Sequence, residues 1–205
     1  MSNTEIHSPS QDHNITATDH WQRCRKLLDE PRDSSDFFYA ALELRCCIER
    51  VCFECLVLLT HRTRDLSKSE LKLYKPKELF QAVFREAPHY AKLVDFINTV
   101  FEVGGYHYPV VIPDFVWLQE THGKLGRYLH AQKEELSVKD KIEAKHFLNH
   151  SLEQIFKYLR RANISEWWEH SKSIFDKYVE GSIDRGQMRR MLELANIPHH
   201  MINKP

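Results

Sequence analysis

The stretch 36–59, DFFYAALELRCCIERVCFECLVLL, reads as one long helix that is apolar nearly all round. At roughly 100° per residue its charges fall into two groups. Glu43, Arg50 and Glu54 share a narrow outer stripe, whereas Arg45 and Glu49 sit opposite, among Phe38, Leu42, Cys52 and Leu56. A helix of this kind is central and buried. Arg45 and Glu49 are one turn apart, at i and i+4, so their side chains meet. Charge inside an apolar face is costly unless it is paired and hydrogen-bonded. The pair is therefore either a structural lock or part of a polar site, and the residues alone leave both open.

The rest of the chain supplies neighbours for this helix. Thr18 is expected to cap an amphipathic helix over 19–30, with Trp21, Cys24, Leu27 and Leu28 on one face. Ser34 or Ser35 caps the central helix, expected to run to about His61. Ser67 with Glu70 reads as a capping box for a short turn of helix. Pro76 suits the first turn of a helix over 77–85, and Pro88 opens another through Val103, ended by Gly104-Gly105. The loop GGYHYPVVIP (104–113) is either a packed connection or a functional surface loop. Pro113-Asp114 starts a helix with the stripe Leu118, His122, Leu125 and Leu129. Ser137 with Asp140 caps a helix over 138–161, with Ile142, Phe147, Leu148, Leu152, Ile155, Phe156 and Leu159 as its core face. Ser165 caps the next helix, which Gly181 ends, and Ser182 or Asp184 starts the last.

These elements predict an all-α fold, a helical bundle around the long central helix with a C-terminal helical hairpin. Residues 1–17 read as a polar, disordered leader, 18–162 as the bundle, and 163–205 as a hairpin or docking arm with Trp167, Trp168, Phe175 and Tyr178 in a small aromatic core. Only six glycines occur in 205 residues, which disfavours a turn-rich β-sandwich.

Composition narrows the function classes. The 29 basic and 29 acidic residues balance, which argues against a nucleic-acid coat or a polybasic membrane binder. No apolar run approaches the length of a membrane span, and the N-terminus lacks a hydrophobic signal region. Four of the five cysteines (Cys46, Cys47, Cys52 and Cys55) lie on the central helix, with Cys24 on the first. They read as small buried hydrophobes in a reducing cytoplasm rather than as a redox or zinc motif. No phosphate-binding glycine loop, nucleophile elbow or zinc-protease motif is present. Glu143, His146 and His150 have a spacing compatible with one metal ion, but no second Glu-x-x-His pair exists to complete a di-metal bundle site. Neither metal nor cofactor is expected.

A second candidate site is GKLGRYLH (123–130), in which Gly123, Arg127 and His130 share a face with Gly126 beside them. Two glycines inside a helix each cost about 1 kcal/mol relative to alanine. They make sense where a helix or ligand approaches closely, or where Gly123 is a break between two short helices. A histidine beside an arginine there would suit acid–base work on a phosphodiester, the arginine stabilising developing negative charge.

The segments LRCCIERVCFECL (44–56), YKPKELFQAV (74–83) and WLQETHGKLGRYLHA (117–131) are similar to bacterial helical proteins of the HEPN superfamily, over residues 36–161. The resemblance implies an up-and-down helical bundle, often a homodimer. It implies an RNase or nucleotide-binding module of a toxin–antitoxin or phage-defence system, or an inactive scaffold of the same fold. In such enzymes an arginine is followed four to six residues later by a histidine, and both subunits contribute to one composite site. Here Arg127 and His130 have only two residues between them, and the residue with the wider spacing to His130 is Lys124, which binds phosphate differently from arginine. On this reading His130 moves the proton, Arg127 clamps phosphate, Lys124, Gly123 and Gly126 line the approach, and Arg45 with Glu49 orients the site. The alternative is a non-catalytic helical module that binds a protein partner through its glycine face and aromatic hairpin.

Overall fold

A computed structural model describes residues 15–63, 76–105, 110–130, 136–159 and 165–195. The described residues form seven helices and the fold is all-α: α1 (Ala17–Asp29), α2 (Ser34–Thr63), α3 (Pro76–Val103), α4 (Phe115–His130), α5 (Val138–Phe156), α6 (Ser165–Glu180) and α7 (Arg185–Leu194). The leader through residue 14, the Ser67–Glu70 capping box and residues 106–109 of the aromatic loop lie outside the described residues.

The central element is α2, which packs against α1, α3, α4 and α5. Ala40, Ala41, Leu44, Cys47, Ile48 and Cys52 are fully buried on it. Small side chains at 40, 41 and 47 let α1 lie close. The Cys24 thiol donates to the Ala40 carbonyl at 3.1 Å and the Cys47 thiol to the Ala17 carbonyl at 3.2 Å. The outer charged stripe expected for Glu43, Arg50 and Glu54 is in fact where α1 docks. Glu43 meets His20 at 2.6 Å, and Glu54 accepts from the Ala17 backbone amide at 3.1 Å. The exposed face of α2 carries Tyr39 and Leu42 instead, 51% and 40% exposed.

Four local expectations are corrected. The cap of α1 is Thr16, not Thr18, because Asp19 at the third helical position completes a reciprocal capping box with Thr16. Pro88 does not open a new helix: α3 runs through it unbroken. Proline removes one backbone bond and costs about 3 kcal/mol inside a helix. The apolar face continues in register on both sides, with Leu79, Phe80 and Val83 before it and Tyr90, Leu93, Val94 and Ile97 after it. Each such burial contributes roughly 1.5–3 kcal/mol, so together they outweigh the missing bond. On α5 the buried stripe is Ala144, Leu148, Ser151, Leu152 and Ile155. Ile142 and Phe156, expected in the core, are 66% and 47% exposed, although the Phe156 ring still lies 5.1 Å from Trp21. The regular helix also stops at Phe156 rather than reaching residue 161.

The C-terminal hairpin packs against α3. Gly181, at φ +79°, makes the tight exit from α6 that a residue with a Cβ would resist. Asp184 then caps α7 through a box with Gln187. The Phe175 ring is buried 5.1 Å from Phe96, Tyr178 donates to Asp95 at 2.5 Å, and the Lys92 ammonium donates to the Val179 carbonyl at 2.7 Å. The side chains of Trp167 and Trp168 lie outside the described residues.

Candidate functional site

Where α4 crosses α2 the structure assembles a three-residue polar cluster. Arg45 and Glu49 form the expected i,i+4 pair, with Arg45 Nε 3.3 Å from Glu49 Oε1. His122, from α4, brings its Nε2 to 2.7 Å from the same oxygen and 3.1 Å from Arg45 Nε. One ring nitrogen cannot both accept from arginine and donate to a carboxylate. An unprotonated Nε2 would set its lone pair against a carboxylate oxygen at 2.7 Å, which is repulsive. The consistent assignment puts the hydrogen on Nε2, so that His122 and Arg45 both donate to Glu49.

The local fold fixes this geometry. Leu118 and Leu125 are fully buried on the α4 stripe and hold His122 toward α2. Phe80 of α3 packs edge-on against the imidazole at 5.6 Å. The His122 side chain is 11% exposed, against 30% for Glu49 and 32% for Arg45, so the cluster opens to solvent on its Arg45–Glu49 side. Burial pushes the Glu49 carboxyl up, but the hydrogen bond and charge of His122, followed by those of Arg45, outweigh it and hold the group below its ordinary range. Cys46, between the two charged residues in sequence, is only half buried. Its thiol is pushed up by burial and by Glu49 and Glu43, so it is not an activated nucleophile.

Of the remaining candidates, Lys124 and Arg127 turn away from His122 on α4, whereas Gly126 follows it by one turn on the same face. Gly123, Lys124 and Arg127 are exposed and Gly126 is half buried. The helix is unbroken at Gly123. A Cβ built at Gly123 or Gly126 meets nothing within 4 Å, so no described part of the chain uses the close approach these glycines permit. The Arg127 guanidinium lies 5.9 Å over the ring of its neighbour Tyr128. His130 is the last residue of α4 and its side chain lies outside the described residues. Among the described residues no cluster of three or more histidine, cysteine, aspartate or glutamate side chains is arranged to hold a metal ion.

The sequence reading found Arg45 and Glu49 but missed His122 as their partner. The available signal was a polar residue in the middle of a leucine stripe, on a helix bound to face one that carried an unexplained charged pair.

Comparison with protein-family models, with curated proteins and with solved structures yields no match to this chain. No described helix is long and apolar enough to cross a membrane.

Proposed function

We propose that this chain is a HEPN-like homodimeric helical protein that acts on RNA or binds a nucleotide, in a cytoplasmic toxin–antitoxin or phage-defence setting. The observation that carries the reading is the Arg45–Glu49–His122 cluster, which joins a histidine, an orienting carboxylate and an arginine at the edge of the bundle core. These are the groups a metal-independent phosphodiester transfer requires. A histidine takes or gives a proton, a carboxylate fixes its tautomer, and a guanidinium stabilises charge on the phosphate oxygens. Arg127 and Lys124 stand exposed on the side of α4 away from this cluster, and His130 ends the same helix.

The test is RNA cleavage and nucleotide binding by the purified chain, wild type beside His122→Ala, Arg127→Ala and His130→Ala, with mass in solution measured on the same samples. Cleavage lost in a folded His122→Ala or His130→Ala identifies the proton-transfer residue. Neither cleavage nor nucleotide binding by wild type overturns the reading.

A second reading, a non-catalytic module for a protein partner, is favoured by one observation. Tyr39 and Leu42 are apolar side chains left open on the most central helix of the bundle. In that reading the three-residue cluster is a lock between α2 and α4.

A further inference from the structure

We infer that Glu49 recognises the sugar of an RNA strand: its outer oxygen accepts from a ribose 2′-hydroxyl while Arg45 donates to the phosphate beside that hydroxyl. This rests on the RNA half of the reading above and sets the nucleotide half aside.

The observation is an asymmetry within one carboxylate. Arg45 Nε, at 3.3 Å, and His122 Nε2, at 2.7 Å, both come to Glu49 Oε1. Among the described residues Glu49 Oε2 makes no hydrogen bond, and neither does Nη1 or Nη2 of Arg45. None of these three atoms is buried. The protein thus occupies the inner oxygen and leaves the outer one as an acceptor open to solvent. Glu49 and Arg45 are 30% and 32% exposed against 11% for His122, so a molecule arriving from water meets the carboxylate and the guanidinium first. His122 stands behind them, and its bond to Oε1 fixes the rotation of the carboxylate.

Charge and hydrogen-bonding capacity narrow the ligand. Glu49 is held below its ordinary carboxyl range and is ionised at neutral pH, so Oε2 accepts only and the ligand must bring it a donor. Arg45 donates only, so the same ligand must bring an acceptor, best an anionic one. Free phosphate, or the end of a polyphosphate, brings acceptors and sets its negative charge against Glu49. A polyphosphate also calls for several cations. Among the described residues Arg45 is the one lysine or arginine bonded into this cluster, and Lys124 and Arg127 turn away from it. An internal RNA linkage supplies what the site lacks. Each 2′-hydroxyl stands beside the phosphate of its own 3′ linkage, a donor next to a singly charged acceptor. DNA offers that acceptor without the donor, and the 2′-hydroxyl is the group by which a protein tells the two apart.

The test is equilibrium binding of the full chain, by fluorescence anisotropy, to one mixed-sequence single strand. The strand is prepared as RNA, as DNA and as 2′-O-methyl RNA, which keeps the 2′ oxygen but has no hydrogen to donate. A gel of the same samples checks that the strands are intact. Wild type should bind RNA at least about tenfold tighter than either of the others, the equivalent of 1.4 kcal/mol. In Glu49→Gln the amide oxygen can keep the two inner donors, which turns the NH2 group outward and makes a donor of the outer acceptor. That variant should lose the preference for ribose and bind the three strands within about twofold of one another. Arg45→Lys keeps the charge without the fork, and should weaken all three strands alike while preserving the preference.

Wild type that binds the three strands alike would overturn this inference and leave the RNA reading standing. A ribose preference unchanged in Glu49→Gln, with its fold checked by circular dichroism, would do the same. If that variant does not fold, the three-strand comparison in wild type and Arg45→Lys decides alone. Binding to a nucleoside triphosphate and to none of the strands would overturn the inference and leave the nucleotide half of the functional reading. Binding to neither would overturn both.

Discussion

His122 and Glu49, 73 residues apart in the chain, share a 2.7 Å hydrogen bond that ties α4 to α2. The imidazole is largely withdrawn from water, and its bond to the partly exposed Glu49 satisfies a donor that would otherwise face the apolar core. Removing the histidine leaves Glu49 with Arg45 and solvent as its partners, so the loss is that of one charge-assisted bond and of the packing around the ring.

His122→Ala should therefore destabilise the protein by about 2–3 kcal/mol, combining the lost bond to Glu49 with the space left beside Phe80. Chemical denaturation is the direct measurement. The double variant His122→Ala with Glu49→Gln should recover part of that loss, and a double variant no better than the single would show that the two residues do not interact.

The depressed Glu49 carboxyl sets an acid limit to stability. The folded state holds this group below its ordinary value of 4.5 and the unfolded chain does not. The unfolded state then binds the extra proton, so the contribution is complete above pH 4.5 and is lost as pH falls below it through the folded value. Stability measured against pH should drop less steeply in this acid range for Glu49→Gln than for wild type.

Tyr178 gives the opposite limb. Burial, and then its bond to Asp95, push the phenol up to about 12 from an ordinary 10. The folded state retains the proton longer, so stability supplied below pH 10 is lost as pH rises from 10 through about 12. Burial also raises Tyr90 and Tyr128, so an ultraviolet titration should show several late-titrating tyrosines, one fewer in Tyr178→Phe, a change costing about 1 kcal/mol at neutral pH.

Gly123→Ala and Gly126→Ala should each stabilise the isolated chain by about 0.5–1 kcal/mol. The added methyl meets nothing within 4 Å and the helix gains a better former. Thermal melting checks this. If either change also weakens RNA binding or self-association, the close approach these glycines permit is made by a molecule outside the chain.

The hairpin's polar contacts should respond to salt. Arg185 bridges Asp95 at 2.9 Å and Glu102 at 3.3 Å, and Arg189 reaches Glu102 at 3.1 Å, all with side chains a third to a half exposed. Such pairs contribute under about 1 kcal/mol each and are screened within about 10 Å at moderate ionic strength. Arg185→Ala should loosen α6–α7 slightly at low salt and by nothing measurable at high salt, as proteolytic nicking after residue 180 would report.

What the sequence disclosed follows from what periodicity can carry. The central helix, its Arg45–Glu49 pair and the all-α class were legible because each is a matter of spacing within one segment. Even His122 was assigned to the correct face of α4. Its partner was not legible, because a helical wheel says which way a side chain points and not what lies there. The same limit explains α2. Its wheel is apolar all round, and only the arrangement of α1 and α4 shows that Tyr39 and Leu42 are the residues left uncovered. Pro88 misled for another reason: a local preference against helix was outweighed by burial on both sides of it. Ile142 and Phe156 fit the α5 stripe by type, but the buried arc is narrower than the apolar one.

Pro88 also sets a clock. Without an amide hydrogen at that position, α3 lacks the bond to the carbonyl one turn earlier, and the ladder is interrupted there. The half before the break holds Phe80 against His122, while the half after it carries Phe96, Asp95 and Glu102 beneath the hairpin. Opening of α6–α7 then need not propagate past the proline. Amides of one continuous helix should exchange with solvent in two regimes, those after residue 88 following the hairpin and those before it waiting for the bundle to unfold.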